Sequence, residues 1–397
     1  MLADLPRQVA VQTLAPRNSE CCYLPAAPPQ PTNFGAAVAI RDGFAFVGMP
    51  FALTTGRVAV FTQTTSGWVR TGTLTASDKT SGDEFGRDIS FRDGLAIVVS
   101  NRAAYVFKRV NGVWRQAQRI VPPAADNALY GRAVKHEAGV LAVGASVAPD
   151  SHGVVYIYQQ DATGKFIQRA RVQPSDSASS NAFNAFGTAL SMNNRIIVVG
   201  APTQERTRPG AAYIFGRNSG GQWVQRQKLI AAGVQVADGF GTAVAIDRDM
   251  ILVGAPFTAP EGGELGPPTT DDHIAAGMLY GFVPGTGRYV EAFRSRPTPD
   301  ELLAYDGYGK SIAMFGERVV ISAAEPAIPM QTQRDFVFAY TRTATALTPL
   351  AFISIGLYDV DLSMSNNLLL IGSPFDDACR VEGCIGAAHI VNLSLVQ

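Results

Sequence analysis

Apolar and polar positions alternate in short runs along this chain, and one version of the alternation returns seven times. The clearest copy is residues 240–256, FGTAVAIDRDMILVGAP. An aromatic-Gly pair opens it, a short apolar run follows, the chain turns, and a second run stops at Gly-Ala-Pro. The openings are Phe34-Gly35, Phe85-Gly86, Tyr130-Gly131, Phe186-Gly187, Phe240-Gly241 and Tyr308-Gly309, with a degenerate seventh at Tyr358-Asp359. Small or polar residues (Ala37/Ala39, Asp88/Ser90, Ala189/Ser191, Ala243/Ala245, Ser311/Ala313, Asp361/Ser363) interleave with large apolar ones such as Val38/Ile40 and Val244/Ile246. That period of two predicts a strand with distinct faces. Two copies of the stop are eroded, at Val98-Val99-Ser100 and Ile321-Ser322-Ala323.

A third run follows each stop, as in residues 56–61 and 210–215, and a fourth opens on an aromatic: Trp68, Trp114, Phe166, Trp223 and Tyr289. Four strands per unit at a spacing of 45–68 residues predict an all-β fold, a seven-bladed β-propeller of four-stranded blades. The expected organisation is one domain over 1–397, with blades near 33–76, 85–122, 130–174, 186–231, 240–296, 308–355 and 357–397. The last unit has three strands. Residues 6–14 read like the fourth strands elsewhere, so the N-terminus is expected to complete the last blade and close the ring; a loose N-terminal arm is the alternative.

Composition narrows the function. The chain is 47% hydrophobic and 17% charged, which excludes disorder and provides for a large core. Lys+Arg and Asp+Glu are 33 each, which argues against nucleic acid as a partner. No apolar run is long enough for a membrane span. The N-terminus lacks the basic-then-apolar pattern of a signal peptide.

These repeats resemble the FG-GAP family, the seven-bladed propellers of integrin α-subunit heads and many bacterial exported proteins. The resemblance implies a binding, adhesion or scaffold role. It also suggests calcium in the turn between the first two strands, but here that turn is short, as at Arg41-Asp42-Gly43 and Asn193-Asn194. One or two side-chain oxygens cannot supply the six to eight ligands calcium takes, so no calcium is expected there.

The longer connections fall between second and third strands (257–276, 325–334) and between fourth and first strands (174–185, 297–307), which marks that face for binding a protein or a glycan. The residues directly after the aromatic-Gly pairs should share one height near the axis. Arg87, Arg132 and Lys310, with Thr188 and Thr242, would make a basic mouth for an anionic group, as in a lectin or carbohydrate-active enzyme. Alternatively the arginines pair with loop carboxylates such as Asp83 or Asp126. A glycan site would draw on the loop aromatics Phe51, Phe183, Phe257, Tyr305 and Phe375.

Catalytic and metal signals are sparse. His136, His152, His273 and His389 lie in different repeats without zinc spacing; His136 and His389 read as packed strand residues. Asp271-Asp272-His273 is the one compact cluster with metal-ligand chemistry, and it reads as solvated. Cys21 and Cys22 fall before the first blade, Cys379 and Cys384 in the last. Two cross-links between these pairs, or a local Cys379–Cys384 bond with a vicinal pair, would both place the protein in an oxidising compartment, extracellular or periplasmic; four thiols would place it in the cytoplasm.

Overall fold

The computed structural model describes residues 11–15, 32–123, 130–146, 153–176, 185–202, 209–236, 238–259, 277–297, 307–324, 334–356, 360–374 and 386–395. They form seven four-stranded antiparallel sheets; in six of them the strands neighbour one another in chain order, and the seventh takes its fourth strand from the N-terminus. This is the blade set of a seven-bladed β-propeller. The strands of the first six blades lie within 38–74, 89–120, 130–172, 189–229, 243–295 and 312–356, and the seventh within 361–392. Strand Val11–Leu14 is the fourth strand of the seventh blade and pairs antiparallel with Ala387–Asn392, Val11 opposite Val391 and Leu14 opposite Ala388. The expected N-terminal closure is thus present over 11–14; residues 6–10 lie outside the described residues.

The chain groups into two compact units. One comprises 1–145, 156–169 and 356–397, the other 146–155 and 170–355. In the first unit, Phe34, Val38, Phe61 and Trp68 of the first blade pack with Leu14, Leu370 and Ile390 of the seventh. Phe46 of the first blade meets Phe91 and Trp114 of the second. In the second unit, Ile214 and Leu229 of the fourth blade share a core with Phe240, Ile251 and Tyr280 of the fifth. Ala245 and Leu252 pack likewise with Val319, Ile321 and Phe338 of the sixth.

The motif glycines exist because neighbouring backbones touch. A Cβ on Gly254, at the end of a second strand, would lie 1.9 Å from the carbonyl oxygen of Gly309 in the next blade. Gly86, at φ +98, would bring a Cβ to 2.6 Å from Arg57 O. No side chain fits at these junctions. The turns between first and second strands are tight: Asp42-Gly43 and Asp93-Gly94 both take positive φ (48 and 74; 51 and 71), the two-residue hairpin that suits a twisted strand pair.

Some blades are also clamped at their outer strands. Gln12 of the seventh blade donates its side-chain amide to Trp68 O and accepts the Trp68 N–H, both at 2.8 Å. Gln118 does the same to Phe166 between the second and third blades, and Gln227 to Tyr289 between the fourth and fifth, again at 2.8 Å. A carboxamide carries one donor and one acceptor side by side, so it pairs with an outer-strand edge as another strand would. Gly72 stands at the equivalent place in the first blade, where no such clamp can form.

Candidate functional site

The first strand of each blade is an edge strand, so every second N–H points away from its own sheet and needs an acceptor. The small or polar positions supply it. In the first unit, Asp361 Oδ2 accepts the Val38 N–H at 2.8 Å and Ser363 Oγ accepts the Ile40 N–H at 3.1 Å. Asp88 Oδ2 accepts the Val134 N–H at 2.7 Å, and Ser90 Oγ the His136 N–H at 3.1 Å. In the second unit, Ser191 Oγ accepts the Ile246 N–H at 3.0 Å. These rungs join the seventh blade to the first, the second to the third and the fourth to the fifth, the same junctions that carry the glutamine clamps.

Two of these acceptors are carboxylates, Asp88 and Asp361. Asp88 lies 3.8 Å from Lys135 Nζ and its Oδ1 also accepts the Ile89 N–H. Asp361 keeps some exposure as a residue, but its carboxyl is desolvated. Burial first, then the like charge of Asp88, push it up to about 7, against Lys135 and the Val38 N–H. His136 is buried. Its Nε2 donates to Arg92 O at 2.7 Å and its Nδ1 accepts from Ser90 Oγ at 2.9 Å, so burial holds it neutral, with a pKa lowered to about 4. His389 is buried too, with Nδ1 at 3.2 Å from Thr13 Oγ1. Both histidines are packed strand residues.

The residues after the aromatic-Gly pairs divide between the units. Arg87 and Arg132 lie in the first, near enough for Arg132 to disfavour the charge on Arg87. Arg87 contacts Glu84 Oε2 at 3.1 Å and donates to Asn101 Oδ1; burial, the largest cause, lowers its pKa. Its carboxylate is therefore Glu84, while Asp83 faces Arg102 Nε at 3.1 Å. Arg132 is exposed. Thr188 and Thr242, in the second unit, each donate to the carbonyl three residues back, Ala185 O and Gly239 O, at 2.7 Å. Those protons close a local turn. Lys310 is half-buried at the matching place in the sixth blade. Asp126, Asp271, Asp272, His152, His273 and all four cysteines, Cys21, Cys22, Cys379 and Cys384, lie outside the described residues.

Among the described residues, no group of three or more His, Cys, Asp or Glu could hold a metal ion, and no helix is long and apolar enough to cross a membrane. Among the described residues, Phe51 (43% exposed) in the first unit and Phe257 (54%) in the second are exposed aromatics on second-to-third connections. Each directly follows a Gly-x-Pro stop. Phe183, Tyr305 and Phe375 lie outside the described residues.

What sequence reading missed was the use of the polar first-strand positions. Aspartate stands at the second position in only two copies, Asp88 and Asp361, and that departure from alanine was the available signal.

Comparison with known proteins agrees with the architecture. The FG-GAP repeat model matches residues 68–107, 166–215 and 223–266. No curated protein matches the chain. Among solved structures, the crystal structure of a protein from Lactobacillus plantarum is similar over 83% of this chain and 88% of that one, at 10% identity and a TM-score of 0.51. At that identity the likeness is one of fold alone. Three stretches of the chain thus match FG-GAP repeats, and its described residues form the seven four-stranded blades of a β-propeller.

Proposed function

We propose that the protein is a non-catalytic binding module, acting in adhesion or as a scaffold, that engages a protein or glycan through the end of the blades bearing the long connections. The observation that carries this reading is the asymmetry of the connections. Two residues link Arg41 to Phe44 and Arg92 to Leu95, whereas the strands ending at Ala255 and starting at Met278 are 22 residues apart. Rigid sheets with short turns at one end and long connections at the other present variable surface at the second. The exposed Phe257 lies at the base of that longest connection.

The first-strand polar groups support a structural role instead. Asp88, Asp361, Ser90, Ser363 and Ser191 are engaged by backbone N–H groups, and Arg87 by Glu84 and Asn101. A second reading, a lectin or carbohydrate-active enzyme that takes an anionic sugar, draws on the neighbouring Arg87 and Arg132. Substitution Arg132→Ala separates the two readings: it abolishes binding of an anionic sugar under the second and leaves ligand binding unchanged under the first. The proposed site of action is outside the cytoplasm, extracellular or periplasmic. Non-reducing peptide mapping tests this: a bond from Cys21 or Cys22 to Cys379 or Cys384 supports it, and four thiols in protein from its natural source contradict it.

A further inference from the structure

The second and fifth blades each carry a corner built around a buried aspartate two residues before the motif phenylalanine. In the second blade, Asp83 stands two residues before Phe85, its Oδ2 accepts the Thr80 N–H at 2.8 Å, and its carbonyl accepts the Asn101 N–H at 2.8 Å. In the fifth blade, Asp238 stands two residues before Phe240, its Oδ2 accepts the Gln235 N–H at 2.7 Å, and its carbonyl accepts the Phe257 N–H at 3.0 Å. Both aspartates are buried, 2% and 1% exposed. In the second blade the remaining oxygen, Asp83 Oδ1, faces the guanidinium of Arg102, with Nε at 3.1 Å.

Among the described residues, no cation faces Asp238 Oδ1 in the fifth blade. Thr258 follows the residue whose N–H Asp238 O accepts, as Arg102 follows Asn101, and its hydroxyl donates to Ala255 O at 3.0 Å. Both Asp83 Oδ1 and Asp238 Oδ1 are covered and accept no hydrogen bond, but Asp83 Oδ1 has the Arg102 ion contact and Asp238 Oδ1 has none among the described residues. The nearby cation, Arg294, is held by Glu291 and donates to Ala232 O. A buried carboxylate oxygen without a partner is costly to keep. Beside it, the ring of Phe257 lies against Gly239, where a Cβ would come within 2.7 Å of it. That ring is more than half exposed.

We propose that this corner of the fifth blade binds a guanidinium group, presented as an arginine side chain by a protein partner. Asp238 Oδ1 is the ion-pair acceptor, and the Phe257 ring is the face on which the planar cation stacks. The second blade shows the filled form of the same corner, closed by the protein's own Arg102. The inference rests on the protein-binding reading above and names the chemistry of its partner.

The test uses N-acetyl-arginine amide as the probe and N-acetyl-citrulline amide, of the same shape without charge, as comparator. Binding to the full chain is read by saturation-transfer NMR and titration. The arginine probe is expected to bind at least about tenfold more tightly than the citrulline probe, and Asp238→Asn to remove that difference. Thr258→Arg, which supplies a guanidinium as Arg102 does, is expected to raise the melting temperature and block the probe. Thr258→Arg carries the test if Asp238→Asn fails to fold. Equal binding of the two probes, or arginine binding unchanged in Thr258→Arg, overturns the proposal. If the probe fails while a partner still binds the long connections, this inference falls and the broader reading stands; a bound probe with no such partner reverses that outcome.

Discussion

Replacing Asp361 by asparagine should make the protein more stable at neutral pH and change little in acid. In the folded chain the Asp361 carboxyl is raised from its usual 3.8 to about 7 by burial and by Asp88. The folded state therefore holds a proton between about pH 4 and 7 that the unfolded state releases, and stability from this group falls as pH rises through that window. Each pH unit is worth about 1.4 kcal/mol, so three units amount to roughly 4 kcal/mol, fully expressed above pH 7. Asparagine does not titrate, and its side-chain oxygen can still accept the Val38 N–H that Asp361 Oδ2 accepts at 2.8 Å. His136 imposes the opposite slope, because burial lowers its pKa to about 4. That contribution is common to both proteins and cancels in their difference. Urea unfolding of the two proteins at steps between about pH 4 and 8 measures that difference. It should grow in favour of asparagine by about 1.4 kcal/mol per pH unit and level off above pH 7. A difference that stays constant with pH would refute the desolvated Asp361–Asp88 pair.

Three further expectations follow from the junctions. Gln227→Ala removes both 2.8 Å bonds to Tyr289 and should cost about 1–3 kcal/mol, with hydrogen exchange at the Tyr289 amide accelerated. Gly254→Ala should unfold or grossly destabilise the second unit, since its methyl would lie 1.9 Å from Gly309 O; a melting curve near that of the unsubstituted protein would show that the junction can open. His136 should remain neutral with its proton on Nε2 well below pH 6, because protonation would cost it the bond from Ser90. Imidazole nitrogen shifts would show this, and folding stability drawn from this histidine should decline as pH falls from 6.5 toward 4.

The repeat announced most of the fold. The Phe-Gly and Gly-x-Pro pairs recur because a glycine at one blade edge meets a glycine of the next, and backbone contact admits no substitute. The closing strand was legible in the same way, since Val11–Leu14 matches other fourth strands in pattern. The site was legible only in part. Arg132 lies near enough to disfavour the charge on Arg87, and the carboxylate that engages Arg87 is Glu84 and not Asp83. That choice depends on side-chain directions within one loop, which spacing does not encode. The threonine hydroxyls turn back onto their own loops. Gln12, Gln118 and Gln227 look like ordinary surface residues in sequence; their role exists only where two outer strands approach. Asp83 and Asp238 occupy the same motif position, and what separates them is the Arg102 guanidinium 3.1 Å from Asp83 Oδ1, with no described cation at Asp238 Oδ1.

The most direct test of the binding account is a comparison of where ligand engages. The protein, with 260–276 and 325–333 each replaced by a short Gly-Ser linker in one variant, and with the Asp42-Gly43 and Asp93-Gly94 hairpins altered in another, is presented to an array of surface proteins and glycans. Loss of binding with the shortened connections and full binding with the altered hairpins is the predicted result. Ligand held equally well without the long connections, or lost only when the hairpins change, would contradict the account.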